Sequence, residues 1–158
     1  MINIKKRSTV VMAGAVTALL GSALFAGPAA AAAGGCGSVC DGKNPQNYVY
    51  QGPGGPSQWV TCQADAYTKY TAGKSGHAGY VELRYSPACR TAWAKTNTLN
   101  TVIHVYSYNS NGSERRHEDQ VTNSSVKYTV MVNDAGYTAK ACATVPASGG
   151  DMLCTKKF

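Results

Sequence analysis

Six cysteines, Cys36, Cys40, Cys62, Cys89, Cys142 and Cys154, all lie beyond residue 35 of a 158-residue chain. What precedes them decides how they are read. Lys5, Lys6 and Arg7 form a positive start. An apolar run follows from Val10 through Val16, Leu19, Leu20 and Leu24 to Phe25. Pro28 breaks that run, and Ala29 to Ala33 supply small residues for a signal peptidase. This order of charge, apolar core and small-residue site is the export signature, so residues 1–33 are expected to be a signal peptide, cleaved after Ala31 or Ala33. The apolar core is shorter than the roughly 20 residues that span a bilayer. No Arg-Arg pair precedes it, which favours the general secretion route. Ala33, Gly34 and Gly35 ahead of Cys36 do not suit lipidation. In an oxidising compartment an even cysteine count reads as a disulfide set, and the expected localisation is secreted, extracellular.

The disulfides matter because the remaining domain, residues 34–158, is small and gains from cross-links. Three of the 15 basic residues leave with the leader and all 8 acidic residues stay, so its formal charge is +4. The basic residues are scattered, the densest spots being the pairs Arg115-Arg116 and Lys156-Lys157. Nucleic-acid binding needs a clustered basic face, so that partner is excluded. A mild positive charge suits an anionic cell wall and equally aids solubility.

Most of the domain carries strand signals, and the predicted fold is mainly β: a small disulfide-stapled antiparallel sheet or barrel-like domain with one short helix. Tyr67 to Thr71 has β-prone composition. Val81, Leu83 and Tyr85 alternate with Glu82 and Arg84. Thr101 to Tyr108 is rich in β-branched and aromatic residues and ends at the turn Asn109-Ser110-Asn111-Gly112. Val126 to Val132 and Tyr137 to Val145 alternate in the same way, about the turn Asn133-Asp134-Ala135-Gly136. The helix is predicted from Pro87 to Lys95: Ser86 can cap it, Pro87 fits its first position, and Cys89, Ala92 and Trp93 fall on one face.

Pro146 to Gly150 forms the turn of a last hairpin. With Ser148 as midpoint, Cys142 stands opposite Cys154 at a separation that a disulfide accepts. Cys36, Cys40, Cys62 and Cys89 are left to pair among themselves. We favour Cys40 with Cys62 and Cys36 with Cys89, although spacing alone leaves the choice open.

Motifs for chemistry are sparse. There is no G-x-S-x-G, no H-E-x-x-H and no EF-hand loop. Gly73-Lys74-Ser75 resembles the end of a phosphate loop, but Thr68 stands where its first Gly belongs. His77, His104 and His117 are far apart in sequence and read as solvated or satisfied side chains. Cys36-x3-Cys40 has zinc-ligand spacing without a second half, and export favours disulfides over metal. Asp41, Asp65, Glu82 and Asp134 are the carboxylates a glycosidase pair would draw on. Asp41 and Asp134 lie in turn sequences, where Asp serves the backbone. Glu114 to Asp119 mixes both signs and reads as a solvated hairpin tip. No catalytic residue, cofactor site or metal site is assigned. Tyr48, Tyr50 and Trp59 flank Gly52-Pro53-Gly54-Gly55-Pro56, a loop that cannot easily bury three large rings, and form the candidate binding loop.

The segments Cys40-Asp41-Gly42-Lys43-Asn44-Pro45, Cys62-Gln63-Ala64-Asp65-Ala66-Tyr67-Thr68 and Val81 through Cys89 to Lys95 together resemble the YjfA-like family. These are small secreted or membrane-tethered domains of Gram-positive bacteria. The resemblance covers residues 36–96 and weakens beyond. It implies export and the cysteine framework, and carries no catalytic residues. The long loop Tyr48 to Val60 departs from the family pattern, which makes it the feature expected to carry individual specificity. The expected function is a non-enzymatic secreted binding protein, acting at the cell envelope or on another exported protein. An adaptor subunit of a secreted, toxin-type assembly is the alternative from another class. A wall- or polysaccharide-acting enzyme and a protease inhibitor complete the candidates. A protein or a cell-wall glycan is the partner in view, with no integral membrane span after signal cleavage.

Overall fold

The computed structural model describes residues 35–51, 59–145 and 149–158. The predicted leader 1–33, the loop centre 52–58 and the Pro146–Ser148 part of the last turn lie outside the described residues.

Alternation in the sequence becomes two four-stranded antiparallel sheets. The first has the order β3 (Tyr67–Ala72), β4 (Val81–Ser86), β5 (Thr91–Lys95), β8 (Val132–Asn133). The second has the order β10 (Asp151–Cys154), β9 (Thr138–Val145), β6 (Val102–Tyr108), β7 (Glu114–Val121). A separate two-stranded sheet joins β1 (Val49–Gln51) to β2 (Trp59–Thr61), and a single 3₁₀ turn covers Gly37–Cys40. The fold is mainly β, as the composition predicts.

Between the two large sheets lies the main core. Val81, Leu83, Ala92, Ala94 and Val132 come from the first sheet, and Ile103, Val105, Ala139, Ala141 and Ala143 from the second. Alanines on β9 keep this layer thin, so the sheets approach closely around the larger Leu83 and Ile103. A second core lies on the other face of β5, where Trp93 and Met131 pack with Cys40, Cys62 and Cys89. Tyr48, Tyr50 and Tyr128 border it.

That second core explains why the helix predicted over Pro87 to Lys95 is not formed. Thr91–Lys95 is a strand, with Thr91 to Ala94 all buried. A strand covered on both faces shows no alternation, and its apolar run mimics a helical stripe. The Ser86 capping signal serves a tight turn instead: Ser86 Oγ accepts from the Cys89 amide at 3.1 Å. Asp65 braces that turn, accepting from Ser86 Oγ at 2.6 Å and from the Ala88 amide at 2.7 Å. Arg90 closes it at a positive φ of 52°.

Two further readings are corrected. Glu114 to Asp119 is not a hairpin tip but most of edge strand β7, whose charges on both faces suit an edge. The predicted strand Val126 to Val132 is reduced to β8 and an isolated bridge between Lys95 and Tyr128. There Thr129 Oγ takes the Ala94 amide at 3.1 Å, so a side chain interrupts the backbone ladder.

Disulfides join Cys36 to Cys40, Cys62 to Cys89 and Cys142 to Cys154. The pairs Cys40–Cys62 and Cys36–Cys89 favoured from sequence are not those formed. The 3₁₀ turn, opened by Gly37 at φ 53°, folds Cys36 back on Cys40 at a Cα separation of 5.4 Å. On the last hairpin, Cys142 and Cys154 are direct cross-strand partners.

Because Trp93 fills the second core, Trp93→Ala is expected to cost about 3–5 kcal/mol in denaturant unfolding. Exposed Trp59→Ala should stay within about 0.5 kcal/mol of the parent.

Candidate functional site

The candidate loop residues do not share one face. Trp59 is opposite Gln51 on the β1–β2 hairpin, whereas Tyr50 is opposite Val60, so Trp59 and Tyr50 leave opposite faces. Tyr50 turns toward the body, where its hydroxyl accepts from the Gly35 amide at 3.0 Å. Tyr48 also packs against the disulfide core. Trp59 remains outward, 60% exposed, with Val49, 45% exposed, as its neighbour on that face. Sequence reasoning did not single out Val49.

Three of the four carboxylates are held by structural bonds. Asp41 receives both terminal nitrogens of Arg115 at 2.7 Å and the Asn133 amide at 2.6 Å. Arg115 in turn donates to Ser107 Oγ at 3.1 Å. Burial pushes the Asp41 carboxyl up, but the Arg115 and Asn133 hydrogen bonds and the charges of Arg115 and Arg116 outweigh it, so it sits below the usual range. Arg115 is raised, first by its bond to Asp41. Asp65 braces the β4–β5 turn. Glu82 accepts from Thr68 at 2.8 Å and from the Tyr80 hydroxyl at 3.0 Å, with Arg84 beside it.

Asp134 differs. Its Oδ1 is buried with no hydrogen-bond partner among the described residues. Burial drives its pKa up to about 7, against the pull of Arg90, Arg115 and Lys69.

The four cysteines Cys36, Cys40, Cys62 and Cys89 gather with all sulfurs within 4.8 Å. Cys62 and Cys89 thus supply the second half that zinc-ligand spacing lacked in the sequence. As two disulfides, these sulfurs carry no thiolate for a metal.

The most distinctive surface is the outer face of the second sheet, which sequence reasoning missed. His104 and Tyr106 point outward along β6, while Ile103 and Val105 point into the core; Tyr108, whose ring neighbours Tyr106, is buried. Asp119 and His117 on β7 are the direct partners of His104 and Tyr106. Cys142 and Lys140 on β9 are their partners on the other side. The Tyr106 and His117 rings stack with centroids 4.2 Å apart and planes within 10°. His104 and Tyr108 flank Tyr106, each with its centroid 6.2 Å away. Lys157 Nζ lies 3.6 Å over the Tyr108 ring, and Lys140 Nζ lies 5.1 Å from the Tyr106 centroid. Burial raises the Tyr106 phenol, and the nearby Asp119, Tyr108 and Glu114 add to this. His104 and His117, separate in sequence, come together here, whereas His77 stays exposed in the Lys74–Tyr80 turn region. The signal was present: His104, Tyr106 and Tyr108 mirror His117 and Asp119 across the Asn109–Gly112 turn.

A family model of proteins of unknown function, DUF2690, matches residues 38–142. The chain belongs to the DUF2690 family. The match runs from the 3₁₀ turn into β9, and so takes in the whole first sheet and, of the second, β6, β7 and most of β9 but not β10. No curated protein and no solved structure matches the chain. Among the described residues of this DUF2690 protein, no helix is long and apolar enough to cross a membrane.

The shifted carboxylate sets a pH test. Asp134 holds a proton in the folded chain up to about pH 7 and loses it in the unfolded chain near its ordinary value of 3.8. The native state therefore binds more protons across that window, and its stability falls as pH rises. Asp134→Asn removes this loss. Its stability relative to the parent is expected to rise by about 2–4 kcal/mol between pH 4 and pH 8, read from urea unfolding at each pH. Asp41 has the opposite sign: its contribution is present above its ordinary value and fades as pH falls through the lowered one.

Proposed function

We propose that this DUF2690 protein is an exported, non-enzymatic binding protein of the cell envelope, and that it holds an anionic wall glycan on the outer face of its second sheet. The observation that carries this reading is the row of rings His104, Tyr106 and His117 on a rigid sheet, edged by Lys140 and Lys157. Flat rings offer apolar faces to a sugar, and ammonium groups beside them attract its acidic substituents. The net charge of +4 beyond the leader has the complementary sign. Three disulfides and a mature domain without a long apolar helix are compatible with life outside the cytosol. The resemblance of residues 36–96 to secreted or membrane-tethered YjfA-like domains supports the same compartment. Asp41, Asp65 and Glu82 are each engaged in bracing the fold, which favours binding over hydrolysis.

A second reading has its own observation. Trp59 and Val49 form an exposed apolar patch on the β1–β2 hairpin, apart from the ring row, and suit an exported protein partner.

Co-sedimentation of the processed protein with purified wall fragments tests both. Tyr106→Ala combined with Lys140→Ala is expected to weaken retention at least about tenfold, with Trp59→Ala retained like the parent. Absence of any retention, or a loss caused by Trp59→Ala alone, would count against the ring face. A stoichiometric protein co-purifying through Trp59 would favour the second reading.

A further inference from the structure

We propose that His104, His117 and Asp119 form a binding site for one divalent transition-metal ion of the zinc and copper class. The inference does not depend on the glycan reading, since it rests on side-chain donors alone.

Asp119 Oδ1 lies 2.7 Å from His104 Nδ1 and 2.5 Å from His117 Nε2. The two ring nitrogens are 3.4 Å apart. Three donor atoms therefore converge on one point, two imidazoles and a carboxylate, the ligand set that zinc and copper(II) take. With metal–ligand bonds of about 2.0–2.1 Å, a tetrahedral ion holds its donors roughly 3.3–3.4 Å apart. The histidine pair already has that spacing. The carboxylate needs to withdraw by less than an ångström, and it is free to do so because Asp119 is 55% exposed.

Two features set this cluster apart from a chance meeting of polar side chains. The first is the support behind His104. Its Nε2 lies 2.9 Å from Thr144 Oγ on β9. With Nε2 donating to that hydroxyl, Nδ1 presents its lone pair to the convergence point, the arrangement by which a second partner orients a metal-binding imidazole. The second is the support behind His117, whose ring lies flat on Tyr106 and cannot swing freely. Both ligands stand on paired strands, so the donor spacing is set by the sheet register rather than by a loop.

Such a site has three protein ligands and leaves positions open toward solvent, where water or a partner's group completes the coordination. Cations already sit on the same face, but Lys140 and Lys157 lie over Tyr106 and Tyr108 and not at the convergence point. The Cys142–Cys154 bond closes the β9–β10 side of the sheet.

The test uses the processed protein with its disulfides intact and no free thiol by titration, so that cysteine cannot supply the ligands. Calorimetry with zinc chloride alone, and then with copper sulfate alone, is expected to show one ion per chain, copper binding the tighter. His104→Ala and His117→Ala should each weaken binding at least about 30-fold, and Thr144→Val about tenfold, while His77→Ala leaves it unchanged. The copper complex should show two-nitrogen hyperfine coupling by electron paramagnetic resonance, reduced to one nitrogen in His117→Ala. His117→Ala serves as the second variant should the more enclosed His104→Ala lose its fold. Binding weaker than about millimolar overturns the proposal, as does equal affinity in the parent and in folded His117→Ala.

Discussion

Strand β5 has no solvent face. Its Ala92 and Ala94 close the layer between the sheets, and its Trp93 points the other way into the disulfide core. An isolated two-sheet sandwich would leave Trp93 in water, and so the chain ahead of β3 is required as a cover. The Cys62–Cys89 bond fixes that cover to the β4–β5 turn, and the pairing of Gly42 and Lys43 with Met131 fixes it at the other end. Once it is in place, β5 is covered on both sides, whereas β3 at the edge of the first sheet and the outer face of the second sheet stay partly open.

The Asp41–Arg115 pair is where the layers meet. Asp41 belongs to the cover, the Asn133 amide to the first sheet, and Arg115 and Ser107 to the second. A part-buried carboxylate and guanidinium with their hydrogen bonds satisfied fix relative position more than they add stability. The Asp134 Oδ1 nearby has no such partner among the described residues, and its deeper burial pushes its proton affinity up. Two neighbouring acids thus shift in opposite directions: one is hydrogen-bonded to Arg115, the other more deeply buried with an unpartnered oxygen.

With β5 covered, Tyr106, His104 and His117 on the second sheet keep partial access to solvent. Their spacing along β6 and β7 follows from the pleat: alternate residues share a face, and cross-strand partners meet side by side. The separation of the ring row from the Trp59 hairpin gives the molecule two surfaces of different chemistry, one polar and aromatic, one apolar.

Much of this was legible in the residues, and the failures have definite causes. Alternation in Val81 to Tyr85, Thr101 to Tyr108 and Tyr137 to Val145 revealed strands because each has one buried face. It was silent for Thr91–Lys95, buried on both, where a helix was read. It gives no signal at Glu114–Val121, an edge strand polar on both faces, whose Glu114 to Asp119 part reads as a tip. Of the candidate rings Tyr48, Tyr50 and Trp59, two pack inward and one faces out, and which does so depends on hairpin register.

What the sequence determined by itself is local: periodicity, turn chemistry, an even cysteine set and the opposition of Cys142 to Cys154, each a matter of neighbours along one hairpin. The tertiary structure decided the rest, namely how the four N-terminal cysteines pair, which acid finds an arginine, and that His104 and His117 share a point in space. Those outcomes depend on which strands lie side by side and which face is covered. Such relations join residues tens of positions apart, and no short-range pattern encodes them.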